Sequence, residues 1–330
     1  MKRKGTYPAW LSVAFKLGLG VLFFSFIYLE LSREAELTER WALLRYRWQG
    51  DDIYLLFLAL ALIPFSIGLE AKKYQTLMGP VLTIKPFLSI RAICTGLTVS
   101  LFTPNRIGEF AGRILYLPGR FRVAGIFATF IGSLAQYVVY WLAAVMAIYI
   151  GAADLPWLAP FRTVLLLFGG SGVLLLLFFY FGSSRLLYWL RRKKWKAPFM
   201  RFLVISGRYP ARVLLKVLLI AALRFFLFNL QLYILMLFVG FPIDHHKAVA
   251  LLPLLFIAQT IVPSFVLTDL GVRGGLALFL FEPWAGSALL ALLPSYMLWF
   301  MNIIFPSFLG WLSLLQLRAN DQAKAVKIPA

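Results

Sequence analysis

The sequence predicts an all-α polytopic membrane protein of about six full transmembrane helices plus two broken re-entrant helical hairpins, arranged as an inverted repeat. Three observations carry this. Of 330 residues, 62% are hydrophobic and the mean hydropathy is +0.84, whereas soluble domains sit near roughly 45–50% apolar. Apolar runs long enough to span a hydrocarbon core recur from end to end. The charges are segregated by loop, as the positive-inside rule requires.

The apolar runs cover residues 11–31, 53–69, 123–150, 164–181, 213–239, 249–267 and 285–317. The polar segments between them are too short to fold as independent domains, so 1–330 reads as a single integral membrane domain. The N-terminus, Lys2-Arg3-Lys4 followed by an apolar run, has the look of a signal peptide. That run is too long for a typical signal core, and no small-x-small cleavage site follows it. It is expected to be a first transmembrane helix. Cys94 is the only cysteine, which excludes a disulfide framework and a cysteine-based metal site. No metal and no cofactor is expected.

A formal net charge of +20 would suggest nucleic acid in a soluble protein. Here the charge follows topology, and no nucleic-acid partner is expected. Residues 182–212 hold nine lysines and arginines and no acid, which makes this loop cytoplasmic. Between Glu30 and Asp52 there are six acids against four basic residues, which places that segment outside. Both termini are then cytoplasmic, in a cell (inner) membrane. The first half is 1–182, with a hairpin at about 87–121. The basic loop is 183–212, the second half 213–317 with a hairpin at about 249–281, and the tail 318–330. Each hairpin must enter and leave on one side, the first from the cytoplasm and the second from outside. Broken hairpins in corresponding positions of two halves mark an inverted repeat.

The first break, Thr103-Pro104-Asn105, leads into Arg106, Glu109 and Arg113 on one helical face. Thr103 is an expected N-cap and Pro104 suits a first helical position. Gly108 and Gly112 are four apart and would allow close helix contact. A helix N-terminus with Arg106 beside it favours an anion, and a guanidinium fork matches phosphate or carboxylate. The second break is expected at Leu267-Thr268-Asp269-Leu270-Gly271, with Asp269 and Arg273 spaced to pair. Laying Gly108 on Gly271 puts Asn105 on Thr268 and Gly112 on Gly275. Asn105, Arg106, Glu109, Arg113, Thr268, Asp269 and Arg273 are therefore the candidate substrate-binding residues, with Gly108, Gly112, Gly271 and Gly275 as structural glycines. Intramembrane charges are costly and tend to face a cavity, but the same residues could serve only to neutralise one another.

Arg224, Asn229, Gln259 and Thr260 read as interhelical hydrogen-bonding groups, His245-His246 as a solvated loop, and Arg91 as a snorkelling residue. The tryptophans fit interfacial belts and are given no ligand role. No catalytic motif stands out, so no enzyme is expected.

The motifs Pro104-Asn105-Arg106-Ile107-Gly108-Glu109 with Arg113, and Leu270-Gly271-Val272-Arg273, resemble those of the flippase-like membrane domain family. This family includes the transmembrane part of bacterial lysylphosphatidylglycerol synthases. The likeness covers roughly residues 11–317 in span pattern and motif order. The family's first motif, Pro-x-Arg-x-Gly-Glu, is kept. Its second often reads Gly-Gly-x-Gly-x-Arg-Glu; here Thr268-Asp269 replaces the glycine pair and Gly274 the acid. The resemblance implies lipid translocation. It does not imply aminoacyl transfer, because the synthase's catalytic domain is a separate soluble module and residues 318–330 are expected to encode none.

The resulting expectation is a carrier for a membrane lipid with an anionic headgroup, which could be a phospholipid, an aminoacylated lipid or a polyprenyl phosphate. The alternatives are a membrane-embedded transferase using Glu109 or Asp269 as a base, and a non-transporting subunit of a lipid-modifying complex. Homo-oligomerisation is left open.

Overall fold

A computed structural model describes residues 50–103, 106–151, 158–190, 209–262 and 266–325, with single positions between 21 and 48. Side chains are described to residue 182 in the third stretch, and for 268–281 and 283–317 in the last. The described residues form ten α-helices and no strand. These are α1 (Ile53–Met78), α2 (Pro86–Leu101), α3 (Gly108–Ile114), α4 (Arg122–Gly151), α5 (Arg162–Leu190), α6 (Ala211–Val239), α7 (His245–Ile261), α8 (Val266–Ala285), α9 (Ala288–Trp299) and α10 (Phe305–Ala325). A single π-helical turn, Phe300–Ile304, joins α9 to α10. Pro306 lies just beyond it and cannot donate to the helical ladder, and a widened turn is one way a helix accommodates that lost donor.

Five helices are long and apolar enough to cross a membrane, at 53–78, 119–151, 159–182, 211–239 and 288–317. They match five of the six expected spans. The sixth, 11–31, falls almost wholly outside the described residues, as do the basic loop and the acidic segment before Asp52. Large apolar side chains face outward, for example Leu167 at 71% and Leu219 at 62% exposure. Such a surface suits a bilayer, since soluble monomers rarely expose wide apolar patches. The chain is an all-α membrane protein.

Two expected boundaries move. The span expected to end at residue 69 continues as α1 to Met78, because Glu70 and Lys73 are buried and paired within it. The second break falls earlier than expected. α7 ends at Ile261, Val262 is extended (φ −78, ψ 115), and α8 has begun by Val266. The residue before a proline is biased out of the helical region, and Pro263 follows Val262. Thr268, Asp269 and Gly271 therefore lie in the first turns of α8 instead of in a loop.

Helix ends follow local chemistry. Pro86 opens α2, where its missing N–H is no loss. Gly240, at φ 79, closes α6 while its N–H reaches Leu237 O and that of Phe241 reaches Met236 O.

Packing crosses between the halves. α1 lies along α6. Two shorter helices each rest on a span of the other half, α2 on α10 and α7 on α4. The α2–α10 contact is close because Gly310 lies against the Cys94 carbonyl, where a Cβ would collide. Thr98 Oγ1 donates to Ser307 O at 2.6 Å across the same contact. Arg91, expected to snorkel, donates to Gln316 Oε1 on α10 at 2.8 Å.

Candidate functional site

The site starts with glycines. A Cβ on Gly112 would sit 2.6 Å from Gly96 Cα, and one on Gly108 would strike the Val99 backbone. Their absence lets α3 lie directly on α2, as the Gly108/Gly112 spacing suggests. Gly96 in turn leaves room for the Arg113 side chain, whose Cγ would be 3.1 Å from a Cβ there. Thr103 Oγ1 accepts the Gly108 N–H at 2.7 Å. Thr103 thus supports the helix start, but α3 begins at Gly108, not at Pro104 as expected. With seven residues α3 carries little macrodipole, so the anion-attracting character of this place comes from side chains.

Those side chains form one connected network. Glu70 on α1 takes Lys73 Nζ at 2.7 Å and Arg224 Nη1 at 3.2 Å on Oε2, and Arg113 Nη2 at 3.0 Å on Oε1. Arg113 Nη2 also reaches Glu109 Oε2 at 3.3 Å, and Glu109 Oε1 holds Arg106 Nη2 at 3.2 Å. Gln136 Oε1 accepts from Lys73 Nζ at 3.4 Å. Glu70, Lys73 and Arg113 side chains are 7%, 4% and 5% exposed, while Arg106 is 48% exposed. The network is buried at one end and open at Arg106. Gln136 and Arg224 lie near mid-length of α4 and α6, two helices long enough to span.

Arg106 is also the one described non-glycine residue at positive φ, 56°. That conformation costs about 1–2 kcal/mol for an L-residue. Functional sites often hold such outliers.

A second group comes from α7, α8 and α9. Arg273 Nε donates to Asp269 Oδ2 at 2.8 Å and its Nη1 donates to Gln259 Oε1 at 2.8 Å. Trp299 Nε1 donates to the same Asp269 Oδ2 at 2.9 Å. The two groups are electrostatic neighbours. Asp269 acts on the Arg106 guanidinium after Glu109, and Tyr140 on α4 feels Arg224, Arg106, Arg273 and Glu70 together. Beside the second group lies a cavity of about 600 Å³ with almost wholly apolar walls, among them Leu56, Leu60, Leu270, Met297 and Trp299. Trp299 therefore borders the cavity with its ring and the charged group with its N–H.

The candidate residues divide by position. Arg106, Glu109 and Arg113 come together, and so do Asp269 and Arg273, as their spacing suggests. Asn105 lies outside the described residues. Thr268 is buried at 4% exposure. Arg113 is enclosed between two carboxylates, so it positions the network and does not face open space. Gly271 and Gly275 are buried within α8. The glycine register is not the one the ion pairs follow. Glu109–Arg113 and Asp269–Arg273 are both i,i+4 pairs, and matching them lays Glu109 on Asp269 and Gly108 on Thr268.

Of the interhelical groups expected, Arg224 and Gln259 bridge helices, whereas Asn229 and Thr260 bond back to Phe225 O and Phe256 O on their own helices. His245 Nδ1 lies 2.7 Å from Tyr233 Oη, so it has a protein partner. Glu70, Lys73, Gln136, Tyr140 and Trp299 were not legible as site residues. Glu70 and Lys73 carried a signal, an i,i+3 acid–base pair directly after an apolar run, which reads equally well as a helix end. Trp299 had none that separated it from nine other tryptophans.

Chemically, the arrangement offers one guanidinium, Arg106, at the open end of a largely buried cationic network, and an apolar cavity beside the Asp269–Arg273 pair. It suits an amphiphilic anion. Comparison with family models, with curated proteins and with solved structures finds no match for the chain.

Proposed function

We propose that the chain is a lipid carrier of the flippase-like kind, moving a lipid with an anionic headgroup across the cytoplasmic (inner) membrane. The observation that supports this reading is a pair of environments, one charged and one apolar, linked through the Asp269–Arg273 group. A charged network opens at Arg106, and an apolar cavity shares Trp299 with the Asp269–Arg273 pair. A headgroup at Arg106 would be met by a guanidinium fork, while its chain would stay in apolar surroundings.

The topology we propose has α2–α3 and α7–α8 as re-entrant hairpins entering from opposite faces, with both termini cytoplasmic. Support comes from the exchange of contacts between halves, α2 on α10 and α7 on α4, and from the equal spacing of the two acid–arginine pairs. Transport would then consist of rocking one half against the other about the site. In this reading Glu109 and Asp269 balance the charge of the arginines.

Mass spectrometry of lipids that co-purify with the protein tests the reading. An anionic lipid enriched over the bulk membrane, and lost in Arg106→Ala, is expected. Bulk lipid in both samples would remove Arg106 from a headgroup site.

A further inference from the structure

The charges of the first network do not cancel. Among the described residues, Lys73, Arg106, Arg113 and Arg224 are joined by ion pairs to only two carboxylates, Glu70 and Glu109. Asp269 and Arg273 form a neutral pair beside them and do not change the balance. Two positive charges are left over in a network whose Lys73 and Arg113 are buried and whose Arg224 lies near mid-length of α6, a membrane-length helix. Such a surplus is costly unless an anion enters. Donor capacity is also in surplus. Arg113 Nε, Arg224 Nε and Gln136 Nε2 are buried with no hydrogen-bond partner among the described residues, against one acceptor of the network, Glu70 Oε2, which is already in ion-pair contact with Lys73 and Arg224.

We propose that the ligand is a lipid ending in a terminal phosphate, a phosphomonoester dianion on an apolar chain. This rests on the carrier reading and narrows it. Near neutral pH a phosphomonoester carries close to two negative charges and three terminal acceptor oxygens. It matches both surpluses. A phosphodiester headgroup supplies one negative charge, and a zwitterionic headgroup supplies none in balance. Arg106 and Arg224, with side chains 48% and 19% exposed, are the guanidiniums through which the phosphate would be held. The apolar cavity beside Trp299 would take the chain.

Isothermal titration of the purified protein in non-ionic detergent, at about pH 8 so that the monoester is fully ionised, decides the matter. The probes are dodecyl phosphate, its methyl diester and inorganic phosphate. Dodecyl phosphate should bind at least about tenfold tighter than the diester, a difference worth one unit charge in a partly buried site. Arg106→Gln should cut that preference to below about threefold, and Arg106→Lys should keep it. Equal binding of monoester and diester would overturn this proposal and leave the carrier reading standing. Inorganic phosphate binding as tightly as dodecyl phosphate would overturn both, since no chain would then be recognised. No binding by either amphiphile would also count against both. Should Arg106→Gln fail to fold, judged by size-exclusion elution, the wild-type comparison decides alone.

Discussion

Arg113 donates to Glu70 at 3.0 Å across 43 residues of sequence, and that contact fastens the seven-residue helix α3 to the long helix α1. Glu70 is the centre of the buried charges, because Lys73 and Arg224 share its other oxygen. Removing that carboxylate from among three cations would leave buried positive charge uncompensated.

Glu70→Gln should therefore destabilise the protein strongly. It keeps the volume but leaves three cations, two of them almost wholly buried, without their main counter-charge. Breaking a buried ion pair from one side costs about 3–5 kcal/mol. Thermal and denaturant unfolding in detergent should register a loss of that order. A loss under about 1 kcal/mol would mean that the network is not a structural unit.

Glycine at 112 is required by contact, not by turn geometry. Gly112→Ala would force α3 off α2, since the new Cβ meets Gly96 Cα at 2.6 Å. Overpacking of this kind costs about 1–3 kcal/mol. Gly68 is the control. It lies within α1 and a Cβ there meets nothing within 4 Å. Gly68→Ala should be neutral or stabilise by up to about 1 kcal/mol from helix propensity. Unfolding of the two variants side by side checks the contrast.

Trp299 and Asp269 should behave as a coupled pair. Trp299→Phe removes the N–H that reaches Asp269 Oδ2 at 2.9 Å and keeps most of the apolar wall. Hydrogen bonds to charged groups are worth about 1.5–3 kcal/mol. A double-mutant cycle with Asp269→Asn, read by unfolding, should return a clear coupling energy. Additive losses would show that the bond contributes nothing.

Tyr209, which lies outside the spanning segments, gives a pH signature. Its hydroxyl donates to Leu77 O at 2.8 Å, its ring stacks on Phe127 at 5.9 Å, and burial pushes its phenol pKa up from 10.0. A raised folded pKa means stability that is full below the unfolded value and falls as pH rises above it. The wild type should lose stability above about pH 10 by more than Tyr209→Phe does, while the variant starts lower. Parallel curves for the two proteins above that pH would contradict the assignment.

Much of this architecture was legible in the sequence. The apolar runs reported the spans because length and hydropathy are the dominant constraints in a bilayer. The first helix break was read at Thr103-Pro104-Asn105, where α2 ends, while the second was read several residues too late; the Glu109–Arg113 and Asp269–Arg273 pairs followed from helical spacing alone. Glu70 was missed because a charge at the end of an apolar run looks like a helix end. Only the tertiary arrangement supplies Arg113 and Arg224, which come from 43 and 154 positions further along and make its burial tolerable. Trp299 was missed for a similar reason, since its role depends on which carboxylate α9 brings to it. The shorter α3 and the φ of Arg106 are likewise set by packing of α3 on α2 through Gly108 and Gly112, not by local propensity.

The most direct test is lipid movement in sealed proteoliposomes. Fluorescent anionic and zwitterionic lipid analogues are placed in both leaflets, and a membrane-impermeant quencher reads which leaflet each occupies. The account predicts that the wild-type protein exposes the anionic analogue from the inner leaflet, that Arg106→Ala does not although it inserts and folds, and that the zwitterionic analogue moves far less. Equal transport by Arg106→Ala, or no movement of any anionic analogue, would contradict it.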